Sequence, residues 1–261
     1  MIDCSIIKCK YNVDKICIAY SGRGFGDHLI VAHTVHILNA TIKNIQFLAS
    51  ISKWYAYLMD VPLMVDVDPS VVTLAWFISK PNVPIILSRL QRVEDVLGIK
   101  IEFNAKELNY VPVKFEENIN IPQVDVVLCT KTGPWTPYRN WGFFDQLKQR
   151  LNDLKITYVD LNEQKILSYD CLNYVKKCKV YVGLETGTSH YVSRFANGKA
   201  LIIQGGYSTF DYWSFTYDYK AITSNSPCPL APCFLRTGCP HNHVCMNIEV
   251  DSVLKEILNY L

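Results

Sequence analysis

Lys15-Ile16-Cys17-Ile18-Ala19-Tyr20-Ser21-Gly22-Arg23-Gly24-Phe25-Gly26-Asp27 decides how this chain folds. Ile16 to Ala19 are uninterrupted small and branched apolar residues, the pattern of a strand buried on both faces of a parallel sheet. Three glycines then turn the backbone, and the apolar run that follows predicts a helix from about His28 to Leu38. A strand, a glycine-rich turn and a helix open a Rossmann-like unit, whose ligands bind at the carboxyl ends of the strands.

The same alternation continues outward. Strands are expected at Ile45–Ala49, Leu63–Val67 and Pro84–Leu87, with short helices between. Residues 100–122 are less regular, and Glu116-Glu117-Asn118-Ile119-Asn120 reads as an exposed connector. The expected domains are therefore 1–120 and 121–261. The second half restarts the pattern, with strands at Val124–Cys129, Ile156–Asp160, Val180–Leu184 and Ala200–Gln204. Helices are expected at Trp141–Leu151, Tyr169–Lys177 and His190–Ala196, the last closed by Asn197-Gly198, and a final one at Asp251–Tyr260. An α/β protein of two Rossmann-like lobes facing a cleft accommodates this order, and 261 residues suffice for two small cores.

Composition excludes several classes. The formal net charge of +2 argues against a nucleic-acid partner held by electrostatics. No apolar run approaches the about 20 residues that span a bilayer. The start, MIDCSIIKCKYN, lacks the apolar core and cleavage site of a signal peptide. A cytoplasmic protein without a transmembrane segment is expected, its ten cysteines reduced.

The first glycine turn does not suit a dinucleotide. That fingerprint needs an acid after the second strand to hold the ribose, and Ala49, Ser50, Ile51 and Ser52 follow Ile45–Leu48. Asp27 would also place negative charge where the pyrophosphate should lie. It reads either as a helix-capping carboxylate or as a general base at the end of the sheet.

A second turn follows Tyr181-Val182-Gly183-Leu184. In Glu185-Thr186-Gly187-Thr188-Ser189-His190, glycine and small hydroxyl residues open a helix, a setting that favours a bound anion. Thr186, Thr188 and Ser189 can donate to a diphosphate. Plain N-capping by Thr188 or Ser189 and a structural role for His190 explain the same residues.

Together the two turns resemble family 9 glycosyltransferases, the group containing the lipopolysaccharide heptosyltransferases. Gly24-Phe25-Gly26-Asp27 is similar to the family's Gly-x-Gly-Asp turn, and the resemblance implies Asp27 as catalytic aspartate. Glu185-Thr186-Gly187-Thr188-Ser189-His190 resembles the family's Asp-Thr-Gly-x-x-His string, with Glu for Asp, at the sugar-nucleotide site. Lys131-Thr132-Gly133-Pro134-Trp135-Thr136-Pro137-Tyr138-Arg139-Asn140-Trp141 resembles the basic, tryptophan-containing segment whose lysine reaches the donor phosphates; either Lys131 or Arg139 takes that role. The resemblance covers the first helix and nearly all of the second half. It implies a GT-B fold and inverting transfer of a hexose or heptose from a nucleoside-diphosphate sugar, with ADP-sugar favoured. The acceptor would be a glycan, lipid-linked or protein hydroxyl.

Four cysteines remain, spaced Cys228-x4-Cys233-x5-Cys239-x5-Cys245 among prolines. Four thiolates suit a structural zinc or iron ion, with His241 and His243 as alternative ligands. Reduced, partly buried thiols are the plainer reading. The resemblance implies transfer without a divalent ion: Asp27 would take the acceptor proton, and Lys131 or Arg139 with Thr186–Ser189 would offset the charge on the leaving diphosphate. A glycoside hydrolase needs two carboxylates about one bond, and Asp27 has no evident partner motif. A non-catalytic nucleotide- or sugar-nucleotide-binding assembly protein on the same fold is the alternative.

Overall fold

A computed structural model describes residues 14–20, 25–51, 56, 61–64, 72–76, 85–102, 118, 120–133, 137–166, 170–193, 195–196, 198–208, 219–226, 228–235 and 238–261. The chain divides into two compact units, Met1–Glu116 and Glu117–Leu261. Gly24, Trp135 and residues 65–67 of the expected third strand lie outside the described residues.

Unit 1 holds β1 (Lys15–Tyr20), α1 (Phe25–Thr41), β2 (Gln46–Ser50), β3 (Val72–Trp76) and α2 (Ile85–Leu97). Its strands are parallel in the order β2-β1-β3. Ile16, Cys17 and Ile18 are wholly buried, as the unbroken apolar run requires. Helix α1 runs three residues beyond its expected range at each end and buries nine residues, Leu29 through Leu38 except His36. A helix apolar on nearly every side belongs inside a core. Its last turn is tied to the sheet by Asn39, whose Oδ1 accepts from the Phe47 amide and whose Nδ2 donates to the Phe47 carbonyl, each at 2.8 Å.

One expectation in unit 1 needs correction. Of the expected strand Pro84–Leu87, residues 85–87 are helical: Ile85 begins α2, in which Ile86, Leu90, Val93 and Leu97 form one buried stripe at helical spacing. A short apolar run does not distinguish buried strand from buried helix; the following ten residues decide it. Of the expected strand Leu63–Val67 only residues 63 and 64 are described, and Leu63 makes a parallel bridge to Ala49. Strand β3, at 72–76, is an addition to the sequence reading.

Unit 2 has a five-stranded, wholly parallel sheet in the order β5-β4-β6-β7-β8. The strands are β4 (Val126–Cys129), β5 (Tyr158–Asp160), β6 (Val180–Leu184), β7 (Ala200–Ile203) and β8 (Lys220–Ile222). Helices α3 (Phe144–Asp153), α4 (Cys171–Lys177), α5 (Gly187–Ser193) and α6 (Val250–Leu258) connect or follow them. Strand β8 is an addition to the sequence reading, and α5 begins three residues before the expected His190. The core joins Val126, Leu128, Val182 and Leu201 of the sheet to Leu147 and Leu151 of α3 and Leu254 and Ile257 of α6. Trp141, 2% exposed, closes one end by donating its indole N–H to the Ile248 carbonyl at 2.9 Å. Among the described residues no helix is long and apolar enough to cross a membrane.

Gly183 in β6 is a packing requirement. A Cβ there would stand 2.5 Å from Tyr181 Oη and 2.6 Å from Ser189 Oγ. Both neighbours are buried, and the serine hydroxyl is itself bonded to the Leu184 carbonyl. Gly183→Ala is expected to lower the unfolding free energy by about 1–3 kcal/mol through overpacking, measured by urea denaturation; an unchanged midpoint would show that the neighbours yield.

Candidate functional site

Each sheet reverses its winding once. In unit 1 the chain goes from β1 to β2 on one side and then to β3 on the other; in unit 2 it goes from β4 to β5 and then to β6. The carboxyl ends of β1 and β4 therefore lie at topological switch points, where crossover helices diverge and leave a crevice. Of the two turns singled out in the sequence, the first follows β1 and the second follows β6, the strand that pairs with β4 across the reversal.

At the end of β1, Gly26 and Asp27 occupy the first turn of α1, and Asp27 is half-buried. The helix N-terminus stabilises a carboxylate there. His28 beside it has its pKa lowered by burial, an effect that the Asp27 charge opposes.

In unit 2 the loop after β4 is pinned from both sides. Asn162 Oδ1 accepts from the Thr130 and Lys131 amides at 2.7 and 3.0 Å, and Asn140 Oδ1 accepts from the Thr132 amide at 2.9 Å. Thr130 Oγ1 donates to the buried Asp160 carboxylate. Lys131 projects from this fixed loop as an exposed residue. Cys129 just before it is raised to about 11 by burial, so it stays a neutral thiol and offers no nucleophile.

The turn after β6 resolves which of its residues face inward. Thr186 caps α5, its Oγ1 accepting from the Ser189 amide at 3.2 Å. Ser189 is 1% exposed and turned into the sheet: its hydroxyl donates to the Leu184 carbonyl and meets Tyr181 Oη at 2.8 Å. Ser189 is thus a corner of the fold, which corrects its expected role as a donor to a ligand. Glu185 is equally buried, and its Oε1 accepts from Arg139 Nη1 at 3.1 Å. Arg139, 7% exposed, also lies over the Tyr207 ring, 4.8 Å from its centroid. The choice between the two basic residues is thereby narrowed: Arg139 is committed to an internal pair, whereas Lys131 is exposed.

His190 is buried behind the turn, 6.4 Å from the Tyr219 ring. Burial, then the positive charge of Arg139, lowers its pKa from the ordinary 6.5 to about 3, so it is a neutral imidazole at physiological pH.

The cysteines gather around the glycines after β7. A Cβ on Gly206 would lie 3.4 Å from Cys245 Cβ and 3.5 Å from Cys228 Cβ, and the Cys233 amide donates to the Gly206 carbonyl at 2.9 Å. Cys239 Sγ accepts from the His243 amide at 3.4 Å. The Cys245 thiol is raised, first by burial and further by Cys228, Cys233 and Cys239 nearby. None of the four is in a disulfide. Among the described residues no three His, Cys, Asp or Glu side chains stand at metal-coordinating distance, so the expected four-thiolate centre is not formed in this arrangement.

Sequence inspection had no means of finding Asn140, Asn162 or Tyr207. An asparagine or tyrosine in a loop carries no periodicity; Asn162 and Tyr207 act on partners far away in the sequence, and Asn140 acts across its own loop on Thr132.

No family model matches the sequence, nor does any curated protein. Solved structures do. TibC, an iron-containing dodecameric glycosyltransferase from enterotoxigenic Escherichia coli, superimposes with a TM-score of 0.63 at 12% identity, over 94% of this chain and 76% of that one. TibC is also known in complex with ADP-D-β-D-heptose. A family 9 glycosyltransferase from Veillonella parvula gives 0.59 at 10% identity over 95% and 98%. The E. coli heptosyltransferase WaaC with ADP gives 0.52 at 10% identity over 95% and 100%. The chain has the heptosyltransferase-like fold of family 9 glycosyltransferases.

The buried histidine makes stability depend on pH. Its folded pKa lies below its unfolded one, so between about pH 6.5 and 3 the unfolded chain binds a proton that the native chain refuses. Stability is therefore present above pH 6.5 and lost on acidification. Asp125, lowered to about 2 by its bonds to Lys179 and Thr157, adds to this only below its ordinary 3.8. Urea denaturation should show a falling stability from pH 6.5 to 4 that is shallower in His190→Gln; identical slopes in the two proteins would contradict the assignment.

Proposed function

We propose that this chain is an inverting glycosyltransferase that moves a sugar, heptose among the candidates, from an ADP-sugar to a hydroxyl acceptor without a divalent ion. One observation carries the reading: in a heptosyltransferase-like fold, one motif-bearing turn follows β1, where the winding of unit 1 reverses, and the other follows β6, which pairs with β4, where that of unit 2 reverses. The ligands of WaaC and TibC support a nucleotide-sugar partner. As part of this reading, the two units are the lobes of a GT-B transferase, acceptor on the first and donor on the second.

The roles follow from the chemistry. Asp27 accepts the proton of the acceptor hydroxyl as its oxygen attacks the anomeric carbon. The bond from that carbon to the diphosphate oxygen breaks, and the leaving nucleoside diphosphate gains a negative charge. The exposed Lys131, the amides around Gly187 and the Thr188 hydroxyl offset that charge, with neutral His190 behind them. Buried Arg139 and Glu185 hold the turn in shape. Gly26 keeps the backbone slim beside Asp27.

The cysteine loop is read as the seat of one structural metal ion, iron or zinc. The support is the soft donor set itself, with Cys228 and Cys245 flanking Gly206 and Cys233 and Cys239 near enough to Cys245 to raise its thiol, together with the iron of the TibC neighbour. Such an ion ties the loop together when bound and takes no part in transfer. Elemental analysis of protein purified without added metal should find about one equivalent; folded protein with far less of both metals rejects the site.

Incubation with a panel of sugar nucleotides, followed by mass spectrometry, should reveal transfer or slow hydrolysis of an ADP-sugar. Asp27→Asn should reduce the rate by about 10²–10⁴-fold with donor affinity nearly unchanged. Near-normal turnover in that variant removes Asp27 from the mechanism.

A further inference from the structure

We infer that Tyr207 is a positioning residue of the donor turn, acting through the Arg139–Glu185 pair and tying it to the cysteine-rich loop. The inference rests on the donor-site reading above and adds a residue to it.

A guanidinium has an edge that donates and a flat face that stacks, and Arg139 uses both. Its edge meets Glu185 at 3.1 Å and its carbon lies 4.8 Å from the centre of the Tyr207 ring. With Arg139 7% exposed and Glu185 1% exposed, little water competes for either contact. Glu185 directly precedes Thr186, the residue whose hydroxyl caps α5. A displaced Glu185 carboxylate therefore drags the first residue of the turn.

Tyr207 is fixed in its turn by the cysteine loop. The Cys233 amide donates to the Gly206 carbonyl and the Phe234 amide to the Tyr207 carbonyl, both at 2.9 Å. The Phe234 ring packs edge-on against the Tyr207 ring at 5.6 Å. The same loop also grips the neighbour of Arg139. Tyr138 Oη accepts from the Gly238 amide at 2.9 Å, and its ring stacks on His243 with centroids 4.3 Å apart. Gly205 and Gly206 permit this approach: a Cβ on Gly205 would meet Met246 Sδ at 2.5 Å, and one on Gly206 would meet Ala231 Cβ at 3.0 Å. The loop thus holds the ring beneath Arg139 and the residue before it.

The test compares wild type, Tyr207→Phe, Tyr207→Leu, Tyr207→Met, Arg139→Met and the Tyr207→Leu/Arg139→Met double variant, all as full chains. ADP affinity is measured by calorimetry, unfolding by urea, and donor KM and kcat with the sugar nucleotide found active. The phenylalanine keeps the ring face and should bind ADP within about twofold of wild type. Leucine and methionine keep apolar bulk but lose the face, and each should weaken ADP about 5–30-fold. The loss should appear in KM, with kcat within about twofold. Because both residues act through one contact, the double variant should bind no worse than Arg139→Met alone. If Tyr207→Leu does not fold, Tyr207→Met carries the comparison. ADP binding at wild-type strength in the leucine or methionine variants overturns the inference, as do multiplying effects in the double variant. Wild-type protein that binds no ADP defeats the donor-site reading itself. The urea data then decide the Tyr207–Arg139 contact separately, and additive effects there overturn it.

Discussion

A carboxylate and a guanidinium sit together out of water behind the turn that follows β6, and the arrangement of unit 2 answers to them. Burial of Glu185 alone would be costly; burial beside Arg139 is tolerated because their attraction and hydrogen bond offset much of the lost hydration. Such a pair need not add net stability. Its consequence is geometric, since neither member can leave its place without abandoning the other. The short turn at 137–139, the end of β6 and the Tyr207 ring are therefore held in one mutual register. Glu185 is accommodated in its buried place by this pairing.

The sheets set where that register matters. Parallel strands whose winding reverses at β1 and β4 leave crevices at those carboxyl ends. The chain furnishes them differently. Unit 1 presents a carboxylate in the first turn of a long helix, whereas unit 2 presents an exposed lysine, a glycine and hydroxyls over a buried floor. On the proposed reading, the carboxylate of unit 1 suits the proton of an acceptor, and the cationic and neutral donors of unit 2 suit a diphosphate.

Much of this was legible in the residues. The apolar runs of β1, β4, β6 and β7 are buried on both faces, and the turn residues that bound them mark them as strands. Gly26 and Gly187 each fall in the first turn of a helix that follows a strand, as the glycine-rich motifs predict. Pro84-Ile85-Ile86-Leu87 misled because four apolar residues have no period; β8 escaped because Lys220-Ala221-Ile222 is too short to show one. In the site, Thr186 and Ser189 were visible as hydroxyls, but their division between cap and buried corner depends on Tyr181, which reaches Ser189 only once β6 is formed. The roles of Arg139 and Lys131 were separable only by burial, which depends on Glu185 and Tyr207 arriving from elsewhere in the sequence.

The central claim is that the loops after β4 and β6 hold the diphosphate of a nucleotide sugar. A crystal structure of the chain with ADP bound tests it most directly. The account predicts the diphosphate beside Lys131 and the Thr186–Thr188 turn, with the Arg139–Glu185 pair intact behind it. A diphosphate bound elsewhere on the chain, with Lys131 and that turn untouched, would contradict it.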